Sequence, residues 1–515
     1  MYRKLTPAQQ VLDFYLPFGG KLHAENRWVI LSSQIPWDEI DKKYSELFSE
    51  FQTGCPAIPA RAALGALIIK ERLGASDRET LEHITENPYL QFFLGYNGYL
   101  DKAPFHHTMM VHFRKRFGKD VLAEINNLIV STGLDRHEEA VQDGTIDGST
   151  DEPDQPEDNK GKMLVDATCT PADIPYPTDL SLLAEAREKT EEIIDFLHEP
   201  HIGQRNKPRT YRQKANKDYL KLIKQNKPSQ KKIRAGIRKQ LGFVGRNLRG
   251  IDKQLSCSND FMLLNKRHYK LLLVIREVYR QQQWMYLHRT HRISDRIVNL
   301  YQPHVRPIVR GKSGRPVEFG AKISISLVDG FSTVDRLSWD AYNESTDLPS
   351  QIESYKDRYG FYPASVHADK IYRSRENRRY CKERNIRLSG PALGRLPKVT
   401  DANKEELKLR KRLQSQDDKD RQAVEGKFGQ AKRRFTLGRI MAKLADTSEA
   451  VIMVSFMVMN LEKLLRAHFL SLFSPFWVVQ TLGRMLRQSE TAQKVTAIQF
   501  TWPGRMVKYY GLAGV

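Results

Sequence analysis

From Val317 to Val328 the sequence alternates with a period of two. Phe319, Ala321, Ile323, Ile325 and Leu327 fall on one side, and Glu318, Gly320, Lys322, Ser324 and Ser326 on the other. Successive side chains of a strand point to opposite faces, so this run dictates a strand with one core face and excludes an all-helical chain. Asp329-Gly330 follows as a hairpin signal, with residues 333–342 as the partner strand. Two short strands are expected over 364–368, ending at Asp369, and near 386–389, with helices over 347–359 and 374–384 beside them. Upstream, residues 163–169 (MLVDATC) read as a buried strand interrupted by one acid, Asp166.

The remaining periodic segments are helical. Pro59 sits where a first turn can start, Ala63, Leu64, Leu67 and Ile68 follow at helical spacing, and Gly74 is a stop. Ser76 with Glu79 makes a capping box for a helix over 77–86, which Pro88 ends. Residues 108–117 place Met109, Met110, Phe113 and Phe117 on one side of a helix that also carries Arg114, Lys115 and Arg116. Short helices, tight turns and a basic last helix suit a helix-turn-helix-like DNA-binding module and suit a plain helical bundle equally. Residues 180–300, 404–434 and 447–470 are the other helical stretches. The aromatic run from Tyr89 to Tyr99 reads as core.

A chain of 515 residues with 40% hydrophobic content exceeds one typical domain and can fill several cores. The organisation expected is α+β and multi-domain. A helical region spans 1–135 and an acidic, Gly/Pro/Ser-rich linker 136–162. An α/β core follows over 163–179 and 306–446, interrupted by a basic helical segment 180–305, and 447–515 form a C-terminal helical region. The four cysteines, Cys55, Cys169, Cys257 and Cys381, form no CxxC pair, which excludes zinc ribbons, fingers and a disulfide framework. The first ten residues lack the apolar core of a signal peptide, and the run 450–459 is too short to span a bilayer. An intracellular, cytoplasmic protein with no membrane partner is expected.

The net charge of +22 points to a polyanionic partner, and its distribution sharpens the point. Residues 201–250 hold 16 Lys/Arg against one acid, Asp218. Arg205, Lys207, Arg209, Arg212, Lys231, Lys232, Arg234, Arg238 and Lys239 are the candidates there for phosphate contact. Residues 370–434 hold 21 basic residues against 9 acids.

Three acids stand out. Asp166 lies inside an apolar strand, where an ionised carboxylate is costly unless paired or metal-bound. Asp369 ends a strand, where α/β folds place sites. Glu425 shares a helix face with Arg421 and Lys432. Brought together, the three would form a hard-oxygen site for two Mg²⁺. A helix cap or a pairing with arginine would explain Asp166 singly, and an ordinary i,i+4 pair with Arg421 would explain Glu425. Other constellations are weaker. GKSGRP at 311–316 lacks the glycine a phosphate loop needs, since position 306 is Arg306. His288 and His291 sit among arginines, and His106 and His107 are adjacent.

LVDATC, HADKIYRS and DRQAVEGKFGQAKRRF resemble the three acidic motifs of bacterial insertion-sequence DDE transposases, most closely the insertion-sequence four/five superfamily. That group carries a Tyr-x2-Arg-x3-Glu-x6-Lys signature. Arg421, Glu425 and Lys432 match it, while Asp418 stands at the tyrosine position. VEFGAKISIS, VMNLEKLL and the helices over 56–117 extend the similarity across most of 40–465.

The resemblance implies a ribonuclease-H-like catalytic core with Asp166, Asp369 and Glu425 as catalytic and metal-binding triad, the basic helices being an insertion between its first two strands. It implies two Mg²⁺ per site, with Mn²⁺ as substitute, and cleavage and strand transfer on double-stranded DNA by a homodimer that pairs the element ends with target DNA. Arg421 and Lys432 would hold phosphates near the scissile bond, and the N-terminal helices, with Arg114, Lys115 and Arg116, would read terminal inverted repeats. His367 either lines this site or is structural. The alternatives are a ribonuclease-H-like nuclease and a domesticated DNA-binding relative without strand transfer.

Overall fold

The computed structural model describes residues 15–16, 19–48, 56–142, 159–256, 264–309, 317–390, 403–488, 500–502 and 505–507. The helices are α1 (Arg27–Gln34), α2 (Trp37–Ser45), α3 (Ala60–Leu73), α4 (Asp77–Glu86), α5 (Pro88–Phe93), α6 (Met109–Gln142), α7 (Asp179–His198), α8 (Arg212–Ile223), α9 (Gln230–Ser256), α10 (Lys266–His288), α11 (Leu348–Tyr359), α12 (Arg375–Glu383), α13 (Lys404–Arg434) and α14 (Ala445–Gln488). The strands are β1 (Lys162–Pro171), β2 (Arg306–Val309), β3 (Val317–Val328), β4 (Phe331–Ser338), β5 (Ser365–His367), β6 (Arg387–Leu388), β7 (Phe500–Trp502) and β8 (Arg505–Val507). The chain is therefore α+β. The segment GKSGRP lies outside the described residues.

Local chemistry sets most boundaries. Ser76 and Glu79 form the reciprocal capping box at the start of α4, and Gly74 ends α3 at φ +67°. Pro88 stops α4 and also opens α5, where its missing N–H costs nothing. Gly118, at φ +58°, interrupts α6. Asp329 and Gly330, both at positive φ, make the tight turn between β3 and β4. β4 stops at Ser338, short of the expected 342, because the Ser338 hydroxyl turns the chain by accepting from Asp340 N–H. The β7–β8 hairpin interrupts a region expected to be helical.

In the main sheet β4, β3 and β1 are antiparallel neighbours, while β1, β5 and β6 run parallel. β2 pairs with the first residues of β3, along the edge that β4 occupies further on. One face of the sheet packs on α11 and α12 through Met163, Val165, Val366, Leu348, Ile352 and Cys381. The other face presents Leu164, Ile323, Ile325 and Leu327 to a continuous apolar cluster that includes α1–α6, α13 and α14. Helices α7, α9 and α10 enclose a separate cluster.

Two buried polar knots tie the N-terminal helices into this core. Asn460 of α14 accepts from Ser332 N–H and donates to Asn126 of α6 and to the Ser332 carbonyl. Glu71 of α3 accepts from Thr436 N–H and from the hydroxyls of Thr436 and Ser455. Satisfied in this way, the buried groups avoid a desolvation loss of about 1–3 kcal/mol each.

The β1–β3 register depends on Gly320. A Cβ there would lie 2.0 Å from the Thr170 carbonyl oxygen, a backbone atom that cannot move without disturbing the pairing. Gly320→Ala is expected to destabilise the fold by about 2–3 kcal/mol, read as a lower urea midpoint.

Candidate active site

Parallel pairing brings two of the three acids together. Leu164 lies opposite His367 in the β1–β5 register. Two residues further along each chain come Asp166, within β1, and Asp369, just past the end of β5. Asp166 pairs with Ile325, and Thr168 with Ile323, so Leu164, Asp166 and Thr168 share the face on which α13 lies.

Helix α13 crosses that face on a ladder of polar contacts. Asp417 receives both Arg387 guanidinium nitrogens at 2.9 and 3.0 Å, and lies 3.4 Å from His367 Nδ1. Asp420 pairs with Lys162 at 2.7 Å. The next residue, Arg421, donates to Asp369 at 2.8 Å. Near the far end of α13, Lys432 donates to Thr168 at 3.0 Å. Glu425, one turn beyond Arg421, is exposed to solvent. The structure thus assembles Asp166, Asp369 and Arg421, places Lys432 two positions along β1 from Asp166, and leaves Glu425 on the intervening helix surface. Among the described residues no group of three His, Cys, Asp or Glu side chains forms a ready metal cage.

The electrostatics are unusual at Asp166. Burial pushes its carboxyl up to about 6 despite the hydrogen bond from Ala167 N–H, and the carboxylates of Glu344 and Asp369 add to the rise while Arg421 opposes it. Tyr372, fully buried, has a hydroxyl without a hydrogen-bond partner, and burial with the charges of Glu344 and Asp166 raises its pKa. Glu344, from the 3-10 turn after β4, is 3.4 Å from Lys322. Sequence reasoning missed Glu344 and Tyr372. Tyr372 carried a weak signal, an aromatic three residues past Asp369, whereas Glu344 carried none. His367 is wholly buried, with the Ser365 hydroxyl and Arg387 at its Nε2 and Asp417 3.4 Å from an Nδ1 that makes no hydrogen bond, and burial lowers its pKa. These contacts are those of a structural histidine.

The basic candidates divide. Arg114 is buried and makes a bidentate pair with Asp77 at 3.0 and 2.6 Å. It is therefore corrected from a DNA contact to a strut between α6 and α4. Arg116 is half-buried, over the Phe48 ring and donating to the Tyr44 hydroxyl, while Lys115 is exposed. Lys207 and Arg212 share Asp195, Lys239 pairs with Asp218, and Lys232 donates to Gln225. Arg234 covers the Tyr286 ring and Arg209 the Tyr211 ring. Arg205, Lys231 and Arg238 are exposed. So are Lys214, Lys217 and Lys221 of α8 and its C-cap Lys224, whose 3-4-3 spacing makes one stripe turned away from buried Ala215 and Leu222.

Comparison with known proteins gives three matches. A family described as a transposase DDE domain matches residues 366–462, and one described as a transposase domain (DUF772) matches residues 17–116. An uncharacterised protein, ORF8 in the nfe locus of Rhizobium meliloti, is 32% identical over 158 residues, which cover 31% of this chain and 68% of that protein. No solved structure matches. Among the described residues no helix is long and apolar enough to cross a membrane.

Proposed function

The chain belongs to the DDE transposases of bacterial insertion sequences, and from that premise we propose that it binds the terminal inverted repeats of its element, cleaves at the element ends and joins the freed 3′-hydroxyl to target DNA. The observation that carries the reading is the placement of Asp166 within β1 and Asp369 just past the end of its parallel neighbour β5, with Arg421 of α13 already paired to the second. Three antiparallel strands followed by two parallel ones, with the acids where the parallel pair diverges, support a ribonuclease-H-like core. In this reading the core spans 163–179 and 306–446, and 180–305 is inserted into it.

The family acts with divalent metal, and the donor set fits such an ion. It consists of carboxylates, hard oxygen donors, and the buried Asp166 carries an unfavourable charge that a cation would relieve. Asp166, Asp369 and Glu425 would hold the metal. A bound pair of Mg²⁺ ions would activate the attacking hydroxyl and stabilise the leaving oxygen. Arg421, paired with Asp369, would hold a phosphate once a metal took its place on that carboxylate. Lys432 holds its ammonium over β1, and the exposed cations of α8 and α9 grip the backbone of duplex DNA. Two protomers, each engaging one end, would form the reacting complex.

The test is a duplex carrying the ends of the element that encodes the chain, incubated with Mg²⁺ or with chelator. Nicks at the element boundary and joined products, both metal-dependent, are the expected result. Hydrolysis without joining would instead support a nuclease, and binding without cleavage a domesticated relative.

A further inference from the structure

Helix α9 turns one charged face outward. Arg238, Gly242, Arg246, Arg249 and Lys253 are all exposed, and their 4-4-3-4 spacing puts them on one side of the helix. The opposite side carries Leu241, Val244, Leu248 and Ile251, buried in the cluster shared with α7 and α10. Among the described residues no carboxylate pairs with any of these four cations, whereas Lys239, on the flank, is taken up by Asp218. Arg246 is also held in place. Its guanidinium lies 4.6 Å from the centre of the Tyr211 ring, and so does that of Arg209, from the segment leading into α8. Tyr211 takes φ +56°, a left-handed conformation that is strained for an aromatic residue, and its ring keeps two like charges close together.

Gly242 is the residue of this face that folding does not explain. Glycine inside a helix costs stability relative to alanine, and α9 contains three others. Each of those is required by a neighbour: a Cβ at Gly236 would strike Leu222, one at Gly245 the Tyr279 hydroxyl, and one at Gly250 would press on Pro208. A Cβ at Gly242 would meet nothing within 4 Å. The helix backbone is thus laid open in the middle of a cationic face, with an arginine one turn to either side. We propose that Gly242 is the point of closest approach of duplex DNA: one sugar–phosphate strand crosses α9 there, and Arg238 and Arg246, about 12 Å apart along the helix axis, hold phosphates on either side of the crossing. The inference rests on the transposase reading and deepens it, because it assigns the path of the backbone to a residue that carries no charge. A side chain at position 242 would hold the strand off the helix and lift its phosphates out of reach of both arginines.

The experiment measures affinity for an element-end duplex as a function of salt, using the full-length protein, Gly242→Ala, Gly242→Leu, the double variant Arg238→Gln/Arg246→Gln, and the double variant with Gly242→Leu added. Alanine and leucine both favour a helix over glycine, so the melting temperatures at position 242 should equal or exceed that of wild type, by about 1–2 °C for alanine. Gly242→Leu is nevertheless expected to bind about 10- to 100-fold more weakly at 0.1 M salt, and its slope of log K against log salt should be shallower by about 1.8, the equivalent of two phosphates, although no charge has been removed. Gly242→Ala, a smaller obstruction, should lose about 2- to 5-fold in affinity, and it carries the test should the leucine variant fail to fold. The double arginine variant should show the same shallow slope. Adding Gly242→Leu to it should cost no more than about 2-fold, because the two changes remove the same contacts. Unchanged affinity of Gly242→Leu, a loss that keeps the wild-type slope, or losses that multiply in the combined variant each overturn the proposal while wild-type binding leaves the transposase reading standing. Failure of wild type to bind any duplex would strike that reading itself.

Discussion

Asp166→Asn is expected to reduce DNA cleavage by at least about 10³-fold while making the free protein more stable. The catalytic loss follows from removing one of two carboxylates that would hold a divalent ion, since a metal supplies several kcal/mol of transition-state charge stabilisation. DNA binding should survive, because the cations proposed to grip phosphate lie on other elements. The gain in stability follows from burial, which raises Asp166 from 3.8 to about 6, so the ionised form is disfavoured in the fold. At 1.4 kcal/mol per pH unit, the neutral amide gains up to about 3 kcal/mol near pH 7. The sign sets the pH window. With the folded pKa above the unfolded value, the favourable contribution of the protonated carboxyl is complete below pH 4 and is lost as pH rises through 6. The stability difference between Asp166→Asn and wild type should therefore be near zero at pH 4, grow to pH 6 and then level off. Urea denaturation in chelator across that range checks it. An asparagine variant less stable than wild type at pH 7 would mean that the carboxylate is structural.

The second large effect concerns the stripe Lys214, Lys217, Lys221 and Lys224. These four side chains project from the exposed side of α8 and its C-cap, Lys224, away from the packing residues Ala215 and Leu222. Changing all four to glutamine removes charge without removing core. If each neutralises one phosphate, the slope of log K against log salt should become shallower by about 3.6, and affinity at 0.1 M salt should fall about 10²- to 10³-fold. The loss should be equal on element-end and unrelated duplexes, because phosphate contacts carry no sequence information. A loss confined to the element end would instead make α8 a reader of sequence.

Much of this arrangement was legible because local signals and tertiary structure agree. The alternation over 317–328, the Asp329-Gly330 turn, the Ser76–Glu79 box and the unbroken charged run of α13 each specify their element within a few residues. Asp166 was conspicuous as a lone acid in an apolar strand, and the β1–β5 register then brings Asp369 beside it. What was not legible depends on distant contacts. Arg114 looked like one of three equivalent cations, and only the packing of α6 on α4 shows that it is buried against Asp77. Glu344 reaches the surroundings of Asp166 from a turn with no periodicity. β2 is four residues long and pairs only with the start of β3. The shared core of α3, α6 and α14 joins residues more than 300 positions apart, through Glu71 with Ser455 and Asn126 with Asn460.

We propose that Asp166 and Asp369 seat a divalent cation that drives cleavage. The most direct measurement is the ratio of cleavage rates in Mn²⁺ and Mg²⁺ for Asp369→Cys against wild type, on the same element-end duplex. Asp369 is exposed, so a thiol there can ionise and reach the metal. Mg²⁺ binds thiolate poorly, whereas the softer Mn²⁺ accepts it. The expected result is an Asp369→Cys variant nearly inactive in Mg²⁺ whose Mn²⁺/Mg²⁺ ratio exceeds that of wild type by at least about 10-fold. A ratio equal to wild type, or full activity of the variant in Mg²⁺, would contradict it.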